Sequence, residues 1–386
     1  MLKKILRFLS YVLVAMAASV STLFFIPAPQ QSAAVSKLDQ LADLIEERFI
    51  GESDRTAMED AAAAAMVDSL GDEWSYYIPA ASYQSHVERM NNAYVGVGIT
   101  ITVREDGTGV DVLKVNEGGP AEEAGMLPGD IIVAVDGTDI AGMDTDTLGL
   151  LVKGEENTQV VLTVLRNGSS IDLTVTRKKV LTPVATYQML EQGIGLVTIT
   201  NFDDRCFEET KRSIEALLDQ GATALIFDVR NNPGGYKHEL VALLDYLLPE
   251  GPLFRSEDYR GYLSVDESDA DCLEIPMAVL VNGASYSAAE FFAAALWEYE
   301  AAVVVGQQTY GKGYFQTTIV LNDGSAVGLS VGKYTTPNGV SLAGVGITPD
   351  VVVEIDEETD WMIYAGVLEA ELDPQIQAAV TVLTNP

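Results

Sequence analysis

Residues 282–290, Asn-Gly-Ala-Ser-Tyr-Ser-Ala-Ala-Glu, join an apolar stretch to an alanine-rich one and predict a strand, a tight turn and the start of a helix. Ser287 falls at the helix start. With Glu290 three residues later it suits a capping box, which satisfies the first N–H groups of a helix. The same place suits a nucleophile, because those N–H groups can hold an oxyanion. Spacing alone leaves both readings open. Twenty-five positions on, Lys312 lies between Gly311 and Gly313, and Gln316 follows four residues later. A lysine accepts a serine proton only when neutral, so burial would have to lower its ordinary pKa of about 10.4 by roughly three units. Gln316 could direct the amine without adding charge. On spacing alone a surface lysine with its stem on apolar ground is the simpler reading. Residues 228–235, Asp-Val-Arg-Asn-Asn-Pro-Gly-Gly, predict a strand and a glycine turn into a helix. The N–H of Gly234 or Gly235, with that of Ala288, could face developing negative charge, and a plain strand-to-helix turn explains the run equally.

These segments need a frame. From about 181 to 350, strand-like stretches (194–200, 224–229, 277–281) alternate with helical ones (206–220, 236–248, 288–299). Such alternation predicts an α/β core with parallel strands and a site at their carboxyl ends. Residues 94–179 read instead as five or six short strands with one helix at 120–124. Here Gly96, Val97, Gly98 and Ile99 precede a strand, and backbone free of side chains can turn N–H groups toward a carboxylate. A simple bulge is the alternative. Earlier, Leu38, Leu41, Ile45 and Phe49 recur at helical spacing, 54–70 is alanine-rich and 82–90 is again helical. Trp74, Tyr76 and Tyr77 fall in a loop of what reads as a helical collar. The tail, 357–384, reads as helical.

The chain has 386 residues, 48% apolar and 21% charged, enough for a core and for more than one domain. Acidic residues number 57 and basic ones 23. Lys3, Lys4 and Arg7 precede the first acid, Asp39, so the remainder carries 20 basic residues and a net charge of −37. Such a surface repels polyanions and excludes nucleic acid as a partner. Residues 8–26 form an uncharged apolar run close to the ~20 residues that cross a bilayer. Basic residues ahead of it predict an N-terminus inside and a body outside the cytoplasm. Ala15-Met16-Ala17 resembles a signal cleavage site, but the run continues through Leu23, Phe24, Phe25 and Ile26, which favours an uncleaved anchor. With only His86, His238, Cys206 and Cys272, no metal site or cofactor is expected, and pairing of the cysteines is left open.

Residues 119–132, Gly-Pro-Ala-Glu-Glu-Ala-Gly-Met-Leu-Pro-Gly-Asp-Ile-Ile, together with the earlier glycine loop, resemble a PDZ domain. That resemblance implies capture of a peptide C-terminus by strand addition beside Gly96, Val97, Gly98 and Ile99. The 282–290 motif, the Gly-Lys-Gly at 311–313 and Gln316 resemble the C-terminal processing peptidases, serine proteases with a Ser/Lys dyad. Runs 333–339 and 344–350 match that family's closing motifs. The resemblance implies Ser287 as nucleophile, Lys312 as base and Gln316 as its orienting partner. It places the oxyanion hole at Gly234 or Gly235, Gly234 first, with Ala288. Ser285 is the near alternative nucleophile. The chain departs from the family at Ala289, where a further serine is common, and at Tyr286, whose bulk beside the nucleophile bears on substrate preference.

The implied fold is multidomain α/β: a crotonase/ClpP-like protease core with an inserted PDZ β-sandwich-like domain and a helical N-terminal region. Its expected divisions are 1–27 (membrane anchor or signal segment), 28–92 (tether and helical region), 93–179 (PDZ), 180–353 (protease core) and 354–386 (helical tail). The expected function is a membrane-anchored extracytoplasmic endopeptidase acting on proteins with exposed apolar C-termini, its homo-oligomeric state open. Three rivals stand beside it: a triad using His238 as base, an inactive PDZ scaffold that binds C-termini, and a crotonase-like enzyme acting on thioesters.

Overall fold

The computed structural model describes residues 36–104 and 106–385, so the expected anchor lies outside the described residues. Among the described residues no helix is long and apolar enough to cross a membrane. The chain divides into two compact units between Leu70 and Gly71.

The first unit holds α1 (Lys37–Arg48) and α2 (Arg55–Asp68). Ser36 caps α1 through a reciprocal box with Asp39, and Asp54 caps α2 by accepting from the Ala57 N–H at 3.1 Å. Arg55 ties the two helices, with Nη1 2.6 Å from Asp43 and Nε 3.0 Å from Glu59.

The second unit opens with β1 (Tyr76–Ile78) and α3 (Ala80–Met90). A ribbon of β2 (Ala93–Gly96) then leads into β3 (Ile99–Val103), β4 (Val110–Val115), α4 (Pro120–Glu123), β5 (Ile131–Val135) and β6 (Thr138–Asp139). Next come α5 (Thr145–Val152), β7 (Gln159–Arg166), β8 (Ser169–Thr176) and β9 (Lys178–Leu181), which closes the ribbon by pairing with β2. The strands order as β3-β4-β5-β7-β8, with β6 on β5, around a core that includes Val110, Ile132, Leu148 and Leu162. The sequence predicts one helix here and two are present. Asp144 caps the second, α5, by accepting from the Thr147 N–H at 2.7 Å, and its eight residues are too short for a clear helical period.

The rest runs β10 (Ala185–Met189), β11 (Ile194–Ile199), α6 (Cys206–Asp219), β12 (Ala224–Asp228), α7 (Lys237–Leu247), β13 (Gly251–Asp258) and β14 (Leu263–Ser268). It continues with β15 (Met277–Val281), α8 (Ala288–Glu298), β16 (Ala302–Gly306), β17 (Tyr314–Val320), β18 (Ala326–Thr335), β19 (Val351–Val352), α9 (Glu357–Tyr364) and α10 (Pro374–Thr384). The central sheet orders as β10-β11-β12-β15-β16-β19, parallel except at β10. Buried on both faces, β15 is a continuous apolar run and β12 is one up to its last residue, Asp228. Val197, Phe227 and Val279 face the core shared with α6, α7 and α8, whereas Leu196, Ile226 and Leu280 face α10. The tail helix is therefore a layer of the core rather than an appendage.

A second sheet, β1-β18-β13-β14 with β17 on β18, flanks this core. Here the collar reading is corrected: Tyr76, expected in a loop, pairs with Gly328 as the first strand of this sheet. The pairing partner lies some 250 positions away, beyond the reach of local pattern.

Candidate active site

Three neighbouring parallel strands, β12, β15 and β16, deliver residues 229–236, 282–287 and 307–313 from their carboxyl ends. The turn after β15 is locked by Ser285, which is fully buried. Its hydroxyl donates to the Val229 carbonyl (2.7 Å) and accepts from the Asn282 N–H (3.0 Å). The Asn282 side chain accepts from the Asn231 N–H at 2.9 Å and so ties this turn to the one after β12. Ser285 is thus spent on structure, which removes it as an alternative nucleophile in this geometry.

Ser287 has φ 58° and ψ −127°. A side chain in this region costs on the order of 1–3 kcal/mol and persists only where its surroundings impose it. Gly234 is part of that imposition. A Cβ added there would lie 2.7 Å from Ser287 Cβ and 2.8 Å from the Ala288 nitrogen, and its own φ of 88° favours glycine. The Ser287 hydroxyl accepts from the Tyr334 hydroxyl at 3.0 Å. Burial raises the Tyr334 phenol well above its ordinary pKa, so it holds its proton.

Glu290 is fully buried, one turn into α8. One carboxylate oxygen accepts from the Thr309 hydroxyl (2.6 Å) and the Gly311 N–H (2.7 Å), the other from the Ser287 N–H (3.1 Å) and the Lys312 N–H (2.9 Å). Burial raises its pKa, and these four bonds oppose the rise. The residue expected as a cap therefore binds the main chain of Ser287 to that of Lys312.

Lys312 is half-buried, with its amine 4.3 Å from the centre of the Trp74 ring and 5.9 Å from that of Tyr286. Burial brings its pKa down to about 8, against the opposing pull of Asp72, Glu290 and Glu73. Trp74, Tyr286 and Tyr310 form an aromatic wall, with ring centres 5.4 to 5.9 Å apart. Tyr286 thus serves the lysine side of the site. No hydrogen bond joins the Lys312 amine to Ser287 among the described residues.

Two expectations change. Gln316 makes no hydrogen bond to Lys312 among the described residues; its amide donates to Ser330 Oγ at 3.0 Å and to the Tyr314 carbonyl at 3.2 Å. A register shift between Phe315 and Gln316 turns it onto β18. In the glycine turn, the Gly234 N–H already donates to the Asn232 side chain at 2.8 Å. The N–H groups of Gly235, which is exposed, and of Ala288 have no acceptor among the described residues, so Gly235 displaces Gly234 as the available donor. Gly235 is set by the bridge to Phe202, where the Phe202 N–H donates to the Gly234 carbonyl and the Tyr236 N–H to the Phe202 carbonyl, each at 2.7 Å. His238 is 70% exposed, stacks on Tyr236 and faces Glu239, away from any contact with Ser287. Cys206 and Cys272 are both free thiols.

In the β-rich region, Gly96, Val97, Gly98 and Ile99 line a cavity of about 420 Å³, together with Ile101, Leu148, Val152, Arg89 and Lys153. β3 is the outer strand of its sheet and α5 forms the facing wall. An extended peptide could add to such an edge, with apolar side chains in the groove and its carboxylate near the glycine loop.

Residues 193–353 match the model of peptidase family S41, and residues 112–166 match that of the PDZ domain. A carboxyl-terminal-processing protease of Synechocystis sp. is 32% identical over 297 residues, covering 75% of this chain and 68% of that protein. The chain belongs to peptidase family S41. A CtpA-like serine protease of Staphylococcus aureus is 31% identical over 326 residues, 83% of this chain. This chain spans 65% of the length of that relative. A solved S41 protease from Bacteroides fragilis superposes with a TM-score of 0.56 at 16% identity, covering 89% of this chain and 97% of that one, and shares the fold.

The S41 core draws on residues that the motifs do not single out. Trp74 precedes the PDZ domain by some twenty positions and falls in the expected collar, yet it covers Lys312. Tyr334 lies inside a quoted closing motif, and nothing in the sequence points its hydroxyl at Ser287. Arg230, in the glycine turn, is bonded to Asp228 at 2.6 Å and to Asp373 at 2.8 Å, with Gln375 accepting at 2.9 Å. Two of these partners come from the tail.

Proposed function

We propose that this chain is a serine endopeptidase of the C-terminal processing kind, whose PDZ groove takes the end of a protein substrate and whose Ser287 cleaves upstream of it. The observation that carries this reading is Ser287, held strained at a helix start against Gly234 of the glycine turn and tied through Glu290 to a lysine of lowered pKa. The neutral Lys312 amine leaves the Trp74 face and takes the Ser287 proton by rotation about its flexible stem. Ser287 Oγ bonds to the scissile carbonyl carbon, and Gly235 and Ala288 hold the resulting oxyanion. Collapse breaks the C–N bond, with the proton passing from Lys312 to the leaving amine. Water, deprotonated by Lys312, then hydrolyses the ester and restores Ser287.

The apolar lining of the groove supports substrates with apolar C-termini, and Arg89 and Lys153 at its wall suit a terminal carboxylate. Three basic residues before the apolar run 8–26 support a single-pass anchor with the catalytic body outside the cytoplasm. The deciding experiment incubates the full chain, in detergent, with a protein bearing an apolar C-terminal tail. Wild type cleaves it, and Ser287→Ala and Lys312→Ala do not. Cleavage persisting in both variants overturns the dyad, and tail binding without cleavage by wild type would make the chain a PDZ scaffold.

A further inference from the structure

We propose that Tyr334 is a third catalytic residue, whose hydroxyl donates to Ser287 Oγ and stabilises the negative charge that develops there. The inference rests on the serine peptidase reading. Tyr334 is 4% exposed, and the hydroxyl of Ser287, 3.0 Å away, is its hydroxyl's one hydrogen-bond partner among the described residues. A buried phenol aimed at a nucleophile is costly to place unless the bond is used.

The ring has little freedom to point elsewhere. It packs edge-on against Phe291 with centres 4.4 Å apart, stacks on Phe315 at 6.1 Å and touches Phe254 at 5.4 Å. Phe291 stands one helical turn after Ser287, and Phe315 stands three residues after Lys312. The Tyr334 N–H donates to the Gly313 carbonyl at 3.2 Å. Its main chain is therefore fastened beside the lysine while its side chain ends on the serine.

The donated bond complements the base. As Lys312 removes the Ser287 proton, Oγ gains charge, and the bond from Tyr334 strengthens with it. When the acyl-enzyme ester breaks, the same bond meets the departing Oγ before Lys312 returns its proton. Tyr334 keeps its own proton throughout, so no further acid, base or cofactor enters the balance. The proton moves only between Ser287, Lys312 and the leaving or attacking group.

The test compares the full chain in detergent with its Tyr334→Phe variant, using a fluorophosphonate that phosphonylates the active serine and a tailed protein substrate. Phosphonylation and kcat should fall on the order of 10- to 100-fold, with KM and Tm unchanged. Phosphonylation of Tyr334→Phe at or above the wild-type rate overturns the proposal, since the bond would then restrain the serine rather than assist it. Site-specific 3-fluorotyrosine at position 334, a stronger donor on the same ring, should speed phosphonylation; a rate unchanged or lower overturns the proposal even where Tyr334→Phe fails to fold. Wild type that neither reacts with the probe nor cleaves would instead fail the peptidase reading, with Ser287→Ala as the blank for both measurements.

Discussion

At the scale of single residues, the lysine needs a low pKa and the serine needs a fixed direction, and different neighbours supply the two. Burial brings Lys312 down to about 8 while Asp72, Glu73 and Glu290 pull upward. The base acts when unprotonated, so kcat/KM should rise with pH and level off above about 8. At pH 7 roughly a tenth of the lysine is neutral. Trp74→Ala opens the amine to water and should carry the midpoint to higher pH, and each pH unit it moves should lower activity at pH 7 about 10-fold. Losing the cation–π contact, worth about 1–2 kcal/mol, works the other way and reduces the size of the shift. A pH profile of the Trp74→Ala variant with an unmoved midpoint would show that the ring does not desolvate the amine.

Between elements, the site depends on a helix that carries none of its reacting groups. Asp373 caps α10 by accepting from the Gln375 and Ile376 N–H groups, and it also pairs with Arg230 in the glycine turn. Both charges are buried, at 3% side-chain exposure each. Removing one member of a buried pair leaves the other uncompensated, and Asp228 remains to offset part of the loss. Asp373→Ala should therefore cost about 3 kcal/mol in urea denaturation. Its kcat should fall as well, because the turn bearing Gly235 loses its brace. Wild-type stability would mean that Asp228 alone neutralises Arg230. On the PDZ side, Val152 lines the groove from α5 and is only partly buried. Val152→Lys should weaken binding of an apolar-tailed peptide at least about 10-fold by calorimetry, leaving phosphonylation of Ser287 unchanged.

Over the whole molecule, the −37 charge beyond the first seven residues meets substrates before any contact does. Proteins with acidic tails should be cleaved with lower kcat/KM than those with basic or neutral tails of equal length. The difference should shrink as salt is raised from about 0.05 to about 0.5 M, where screening shortens toward a few ångströms. A preference against acidic tails that is independent of salt would place its origin in the apolar lining of the groove rather than in the surface charge.

The α/β core, the PDZ module and the segments bearing Ser287, Lys312 and the glycine turn are legible in the sequence. Each is written in local pattern: alternating apolar periods, glycine turns, and short motifs whose spacing reflects one strand-turn-helix unit. Four other features are not. Tyr76 pairs across some 250 positions, Trp74 covers Lys312 from before the PDZ domain, Tyr334 reaches Ser287 from the flanking sheet, and Asp373 braces Arg230 from the tail. Each joins segments distant in sequence, and nothing in local periodicity records which distant side chain will fill a given space. The same limit explains the two revised assignments. Gln316 and Gly234 hold their motif positions, but a shift in strand register and a competing Asn232 acceptor decide where the amide and the N–H point. Motif spacing says which groups arrive at the site. Which of their hydrogen bonds are still open when they arrive depends on the packing around them.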